Sequence, residues 1–258
     1  ILILKFINKI IDFSKIKATC SNCNLHELCL PHGLQSEDLE KLEIVIKGSH
    51  PIEKGKHIFR TDDPFESFYA VRSGSVKVYI INESGEEQII GFYFPGEIIG
   101  FDGIEHHQHA SSAVALETTT FCSLPYDNIN DICMQIPDLQ NQMFRLLSRE
   151  ISNENQLLLT INKRSAEERI ASFLISLSSR FKKLGYSAKE YNLPMSRQEI
   201  GNYLGLTIET VSRLFSKFQR NGLVTINRKS IRLENLPAIH AICDGFSEEP
   251  KDSNRSSL

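Results

Sequence analysis

The chain has 258 residues, with 29 Lys and Arg against 32 Asp and Glu, a formal net charge of −3. A composition of 41% apolar and 24% charged residues belongs to a folded globular protein and excludes a disordered chain, a collagen or a disulfide-stapled miniprotein. The length suits two domains, and the mildly acidic average argues at first sight against nucleic acid.

In chain order, the apolar stretch at 1–11 is interrupted by Lys5, Asn8 and Lys9. It is too short to span a membrane and lacks the cleavage site of a signal peptide, so it reads as an amphipathic lead-in. The chain begins with Ile rather than Met, which leaves the native start open. Residues 1–35 form an N-terminal segment containing a cysteine cluster, and a short helix is expected around 36–45. From about His50 to Pro125 the pattern is strand-like. Val76, Val78 and Ile80 alternate with Lys77 and Tyr79, and Gly74, residues 82–85 and Pro95-Gly96 mark turns. Residues 36–136 therefore form a β-sandwich or jelly-roll-like β-roll.

After Pro137 a helix is expected over 137–162. Phe144, Leu147, Ile151, Leu158 and Ile161 follow a three-and-four spacing, with Glu154 at the intervening seam position. That spacing suits pairing with a second copy, and equally a helix packed on its own domain. Residues 163–240 form a separate helical module, and 241–258 a tail that is polar and disordered from Ser247. The fold class is α+β.

Counted by region, the charge is far from uniform. Lys163 to Arg232 carries 14 Lys and Arg against 5 Asp and Glu, a net of +9, which leaves 15 against 27, a net of −12, elsewhere. A basic module on an acidic body is a footprint of nucleic-acid binding. Within it, Ser196-Arg197-Gln198-Glu199 is a capping box that starts a helix with Ile200 and Leu204 inward. Gly205 permits a tight turn, Thr207 caps a second helix to about Arg220, and Asn221-Gly222 ends it. The result is a helix-turn-helix. Val211, Leu214, Phe215 and Phe218 face inward, whereas Glu209, Ser212 and Arg213 share another face. That face can read bases: Arg donates to guanine, Glu accepts from cytosine N4, and Ser contacts either. Arg197 is a further DNA-binding candidate. Asn227-Arg228-Lys229-Ser230 lies between two strand-like runs and forms a wing whose Arg228 and Lys229 meet phosphate. The bland alternative is a helical hairpin with a solvated polar face.

Cys20, Cys23 and Cys29 place three thiols within ten residues, and Cys122, in a strand-like run, is the best fourth ligand. Four thiolates suit an iron–sulfur cluster or tetrahedral zinc, and spacing does not choose between them. Cys133 and Cys243 read as core residues. Six cysteines in a cytoplasmic protein are ligands or buried thiols rather than disulfides.

These four cysteines, the roll, the long helix and the Glu209/Ser212/Arg213 triplet together resemble the FNR-type oxygen-responsive regulators of the CRP/FNR transcription-factor family, over roughly residues 18–240. Residues 167–171 and 200–213 are especially similar. The resemblance implies a 4Fe-4S cluster on Cys20, Cys23, Cys29 and Cys122 that is stable without oxygen. It also implies a homodimer while the cluster is intact, and binding to TTGAT-type inverted repeats in double-stranded DNA. Like charges at Glu154 would oppose pairing in a parallel dimer, and cluster-dependent packing would overcome them. Asn24 and Leu28 would tune oxygen access. Two surfaces toward RNA polymerase are implied, one of Arg72, Ser73, Thr118 and Phe181, the other of Ile81, Gly85, Glu86 and Glu87.

Three other readings match parts of the sequence. A cyclic-nucleotide sensor would use Gly96-Glu97, but Ser111-Ser112-Ala113 stands where an Arg should meet the cyclic phosphate, so no cyclic nucleotide is expected. A cupin-like metalloenzyme would use His106, His107 and His109, but no Glu follows at the usual distance, and these histidines read as an exposed loop. A zinc- or haem-containing relative is the remaining alternative. No nucleophile–base pair is evident, so no enzyme and no membrane partner are expected.

Overall fold

The computed structural model describes residues 20–48 and 50–245. The lead-in at 1–11 and the polar tail from 247 lie outside the described residues. The chain divides into two compact units, 1–149 and 150–258.

The first unit begins with a turn-rich segment and helix α1 (Ser36–Val45). Strands β1 (Lys47–Gly48), β2 (His57–Phe59), β3 (Ser67–Ser73), β4 (Val76–Ile81), β5 (Glu87–Tyr93), β6 (Ile98–Ile99), β7 (Ser112–Ala115) and β8 (Thr120–Pro125) follow. Among the described residues they form two antiparallel four-stranded sheets, ordered β1-β8-β3-β6 and β2-β7-β4-β5. Phe59, Val71, Val76, Val78 and Phe121 pack into one core cluster. Leu30, Leu42, Phe68, Leu124, Ile129 and Leu139 pack into a second, which ties the cysteine segment and the helices to the roll.

Strand β4 departs from simple alternation. Its register against β5 shifts between Val78 and Tyr79, and Tyr79 is buried while Ile80 and Ile81 are exposed. The pairing passes from Val78–Gly91 to Tyr79–Ile89, so the extra residue of this bulge is Ile90 on β5. Helical structure also starts before Pro137. Helix α2 (Tyr126–Gln135) buries Ile129 and Ile132, and its many Asp and Asn residues mask the spacing. Helix α3 follows as a 27-residue run, Pro137–Lys163.

His106 and His107 are exposed, as expected of a loop, but His109 is not. It is 2% exposed, stacks on Phe59 with ring centroids 3.7 Å apart, and sets Nδ1 3.3 Å from Asp102 Oδ1. An imidazole with one polar partner and a flat apolar face suits a core, so the expectation of three loop histidines is corrected for His109.

The second unit contains the end of α3, α4 (Ala166–Lys183), β9 (Glu190–Asn192), α5 (Arg197–Leu204), α6 (Ile208–Arg220), β10 (Val224–Asn227), β11 (Ser230–Leu233) and α7 (Leu236–Cys243). Helices α4 and α5 each begin with a complete capping box, Ser165/Glu168 and Ser196/Glu199. The three strands pair in the order β10-β11-β9. Cys133 packs against the second core cluster as expected. Cys243 instead has polar neighbours: its Sγ lies 3.2 Å from Ser172 Oγ and 2.8 Å from Arg164 Nη1.

Candidate functional site

Three of the four thiols lie on consecutive turns before α1. Cys23 N–H donates to Cys20 O at 3.1 Å, His26 N–H to Cys23 O at 3.1 Å, and Cys29 N–H to Leu25 O at 3.0 Å. Three contacts fasten this segment. Glu43 Oε1, on α1, accepts from Ser21 N–H at 2.8 Å and from Ser21 Oγ at 2.7 Å. Gln142, on α3, donates to Cys29 O at 3.4 Å. Leu28 sits against Gly96, whose φ of +88° and lack of a side chain let the two backbones approach. Asn24 is exposed and Leu28 half-buried. Cys122 comes from β8, paired with Gly48 of β1 on one side and Ala70 of β3 on the other.

The four thiols share one electrostatic neighbourhood. Burial pushes Cys20 up to about 12, helped by Cys122, Glu43 and Cys23 and opposed by Arg72. Burial pushes Cys29 up to about 12 as well; the Leu30 N–H opposes it, and Cys122, Cys20 and Cys23 add to it. Cys122 is raised by burial, lowered by Arg72 and raised by Cys23. None of the four is in a disulfide. Among the described residues no three His, Cys, Asp or Glu side chains stand in ligand geometry, so this is a gathering of thiols and not a finished cage. The donor set nevertheless fits a thiolate-bound metal group. Thiols raised by burial, as Cys20, Cys29 and Cys122 are, ionise together only around a strongly positive centre.

In the second unit the helix-turn-helix is built as its sequence dictates. Ile200 and Leu204 of α5 and Val211, Leu214, Phe215 and Phe218 of α6 are buried. Gly205 turns the chain at φ +64°, and Thr207 Oγ1 accepts from Thr210 N–H to cap α6. Glu209, Ser212 and Arg213 are exposed on α6. The β10–β11 turn leaves Arg228 (φ 55°) and Lys229 exposed. Arg197 is less exposed than these. Its guanidinium carbon lies 3.6 Å from the Phe215 ring centroid, and Nη1 is buried without a hydrogen-bond partner. Arg197 as a whole is half-buried, with one guanidinium nitrogen enclosed beside an aromatic face.

On α3, Phe144, Ile151 and Leu158 recur every seven residues and are 61%, 59% and 57% exposed. Glu154 is exposed between them, and Leu147 and Ile161 are half-buried. Arg72, Ser73 and Thr118 are exposed in the first unit, where Ser73 Oγ lies 2.7 Å from Thr120 Oγ1. Phe181 belongs to the second unit and stacks on Tyr191 at 4.9 Å. Ile81, Gly85, Glu86 and Glu87 surround the exposed β4–β5 hairpin, whose turn Asn82 Oδ1 organises by accepting from Ser84 N–H and Glu86 N–H. Glu97 Oε2 accepts from Phe94 N–H at 2.9 Å, and Ser111 donates through N–H and Oγ to Asp102.

Residues 193–224 match the family described as "Bacterial regulatory proteins, crp family", and residues 49–136 match "Cyclic nucleotide-binding domain". The chain is 44% identical to the transcriptional activator protein anr of Pseudomonas aeruginosa, over 90% of this chain and 95% of that protein. It is 43% identical to the fumarate and nitrate reduction regulatory protein of Salmonella typhimurium, over 86% and 89%. The chain belongs to the FNR branch of the CRP/FNR family. The structure of FixK2 from Bradyrhizobium japonicum is similar, at a TM-score of 0.70 and 28% identity, covering 76% of this chain and 96% of FixK2. As a CRP/FNR member the chain is a DNA-binding transcription regulator and not an enzyme. Among the described residues no helix is long and apolar enough to cross a membrane.

Proposed function

We propose that this protein is a cytoplasmic, oxygen-responsive regulator in which Cys20, Cys23, Cys29 and Cys122 hold a 4Fe-4S cluster. What supports the reading is that four thiols outside any disulfide, three from the turns before α1 and one from β8, bear on one another electrostatically in a member of the FNR branch. When bound, such a cluster supplies an oxygen-labile link between the turn segment and β8.

The chain's own residues carry the consequence onward. Gln142 joins the Cys29 carbonyl to α3, so the ligand segment and the helix that carries the exposed apolar repeat are in direct contact. With the segment held, Phe144, Leu147, Ile151, Leu158 and Ile161 pair with a second copy against the repulsion of two Glu154 carboxylates. The dimer then presents two α6 helices to the half-sites of a TTGAT-type inverted repeat, with Glu209, Ser212 and Arg213 on base edges and Arg228 and Lys229 on phosphate. Asn24 and Leu28 flank two of the ligands and govern access to them. Arg72, Ser73 and Thr118 in the first unit, Phe181 in the second, and the hairpin residues Ile81, Gly85, Glu86 and Glu87 are the residues offered to RNA polymerase. No cyclic nucleotide is required, since Ser111 carries no charge for a phosphate and is already bonded to Asp102.

Anaerobic purification tests this reading. A brown protein with iron and acid-labile sulfide in equal amounts is expected, and its preference for the repeat over scrambled DNA should disappear on exposure to air. Protein containing zinc alone, or DNA binding indifferent to air, would overturn it.

A further inference from the structure

Arg197 opens α5 directly after the capping Ser196, at a place where a basic side chain would ordinarily meet phosphate. Its surroundings are of another kind. The guanidinium lies flat enough on Phe215 to bring its carbon 3.6 Å from the ring centroid. Phe215 belongs to the inner face of α6 and is 1% exposed. Nη1 is shut away from solvent without an acceptor, and burial pulls the guanidinium below its ordinary pKa. Nη1, so enclosed, cannot reach a phosphate oxygen, and the half-buried side chain is held against the ring. A buried donor with no partner is a cost that a fold retains where the surroundings gain from the arrangement.

Phe215 also lies where a small displacement has consequences. Val211, Phe215 and Phe218 recur at four and three residues on the inner face of α6, while Glu209, Ser212 and Arg213 occupy the outer face of the same helix. Any change in how Phe215 seats against α5 therefore rotates or shifts all three outer side chains together. Exposed Arg213, Arg228 and Lys229 remain to meet DNA directly.

We propose that Arg197 is a positioning residue for base reading: stacked on Phe215, it fixes the seating of α6 against α5 and so the angle at which Glu209, Ser212 and Arg213 meet the bases. This rests on the reading of the chain as a regulator that recognises an inverted repeat.

The test uses the full chain, purified anaerobically, with fluorescence anisotropy on a TTGAT-type inverted-repeat duplex and a scrambled duplex over a salt series. In Arg197→Gln the ratio of specific to scrambled affinity should fall by about tenfold, the scale of one lost base contact. The slope of log affinity against log salt on the scrambled duplex should match the wild type. A slope shallower by about one per subunit would mark a phosphate contact and overturn the proposal. An unchanged ratio would leave Arg197 merely structural and overturn it too. Arg197→Lys keeps the charge without the plane and should lose discrimination as Gln does, so rescue by Lys counts against stacking. Phe215→Leu removes the ring, leaves Arg197 intact and guards against a Gln variant that fails to fold. It should reproduce the loss, and the double variant should add little to it; full additivity would show that the two do not act as a unit. A wild-type chain with no preference for the repeat would overturn the regulator reading and this proposal with it, whereas the variant outcomes bear on the proposal alone.

Discussion

Leu28 rests directly on Gly96: a Cβ at position 96 would stand 2.9 Å from the Leu28 Cβ. This contact seats the turn that carries Cys29 against the loop between β5 and β6. Gly96→Ala brings a steric overlap and a positive φ that costs an L-residue about 1–2 kcal/mol. The expected result is a folded roll with a displaced turn. Iron retained after anaerobic reconstitution should fall several-fold, while far-ultraviolet circular dichroism stays close to wild type. Full iron retention would show that Leu28 and Gly96 do not set the ligand turn.

Glu154 interrupts an exposed apolar repeat on α3. Removing its charge should shift the monomer–dimer balance toward the dimer without any help from the cysteines. Glu154→Ala is therefore expected to sediment as a dimer in air and to bind the inverted repeat there. Glu154→Gln should behave in the same direction. A variant that stays monomeric in air rules out repulsion across the seam.

Arg213 and Glu209 share the exposed face of α6. Arg213→Ala should cost about 1–3 kcal/mol of discrimination at a guanine position, and Glu209→Gln should relax preference at a cytosine. Affinity profiling over single-base variants of the repeat separates the two, because each variant should flatten its own position. An unaltered base preference would remove that residue from the reading face.

Asp102 ties His109 and Ser111 to the roll. Burial alone would raise its pKa, but hydrogen bonds from His109 and Ser111 outweigh burial and hold the carboxyl below its ordinary value. A depressed folded-state pKa contributes stability that is present above the unfolded value, near 3.9, and is lost as pH falls through the folded value. Thermal melting of the first unit should therefore fall as pH drops below about 4. Asp102→Asn should lower the melting temperature at neutral pH and flatten the acid limb. An acid limb as steep as in the wild type would assign acid sensitivity to other carboxylates.

The helix-turn-helix was legible in the sequence because its determinants are local. A capping box, a glycine at positive φ and a three-and-four apolar spacing act within a few residues, and α5 and α6 begin and end where those signals lie. The cysteine constellation was legible for a different reason: thiols at close spacing are rare enough to stand out. The partners of a side chain across the fold were not legible. Nothing near Arg197 announces a ring eighteen residues later, and nothing near His109 announces Phe59 or Asp102. The bulge at Ile90, opposite Val78 and Tyr79, was hidden for the same reason, since one extra residue in a ladder leaves no mark on composition.

Cys122 and the other three thiols are held with unequal firmness. Its strand is hydrogen-bonded on both flanks, to β1 and to β3, so its backbone cannot shift without opening two ladders. Cys20, Cys23 and Cys29 hang on short turns fastened by a few side chains. Any group bridging the two would thus join an anchor to a tether, and losing it would release the tether alone. Damage and repair would both act on one short stretch of chain, leaving the roll as a fixed template on which the same site can be rebuilt.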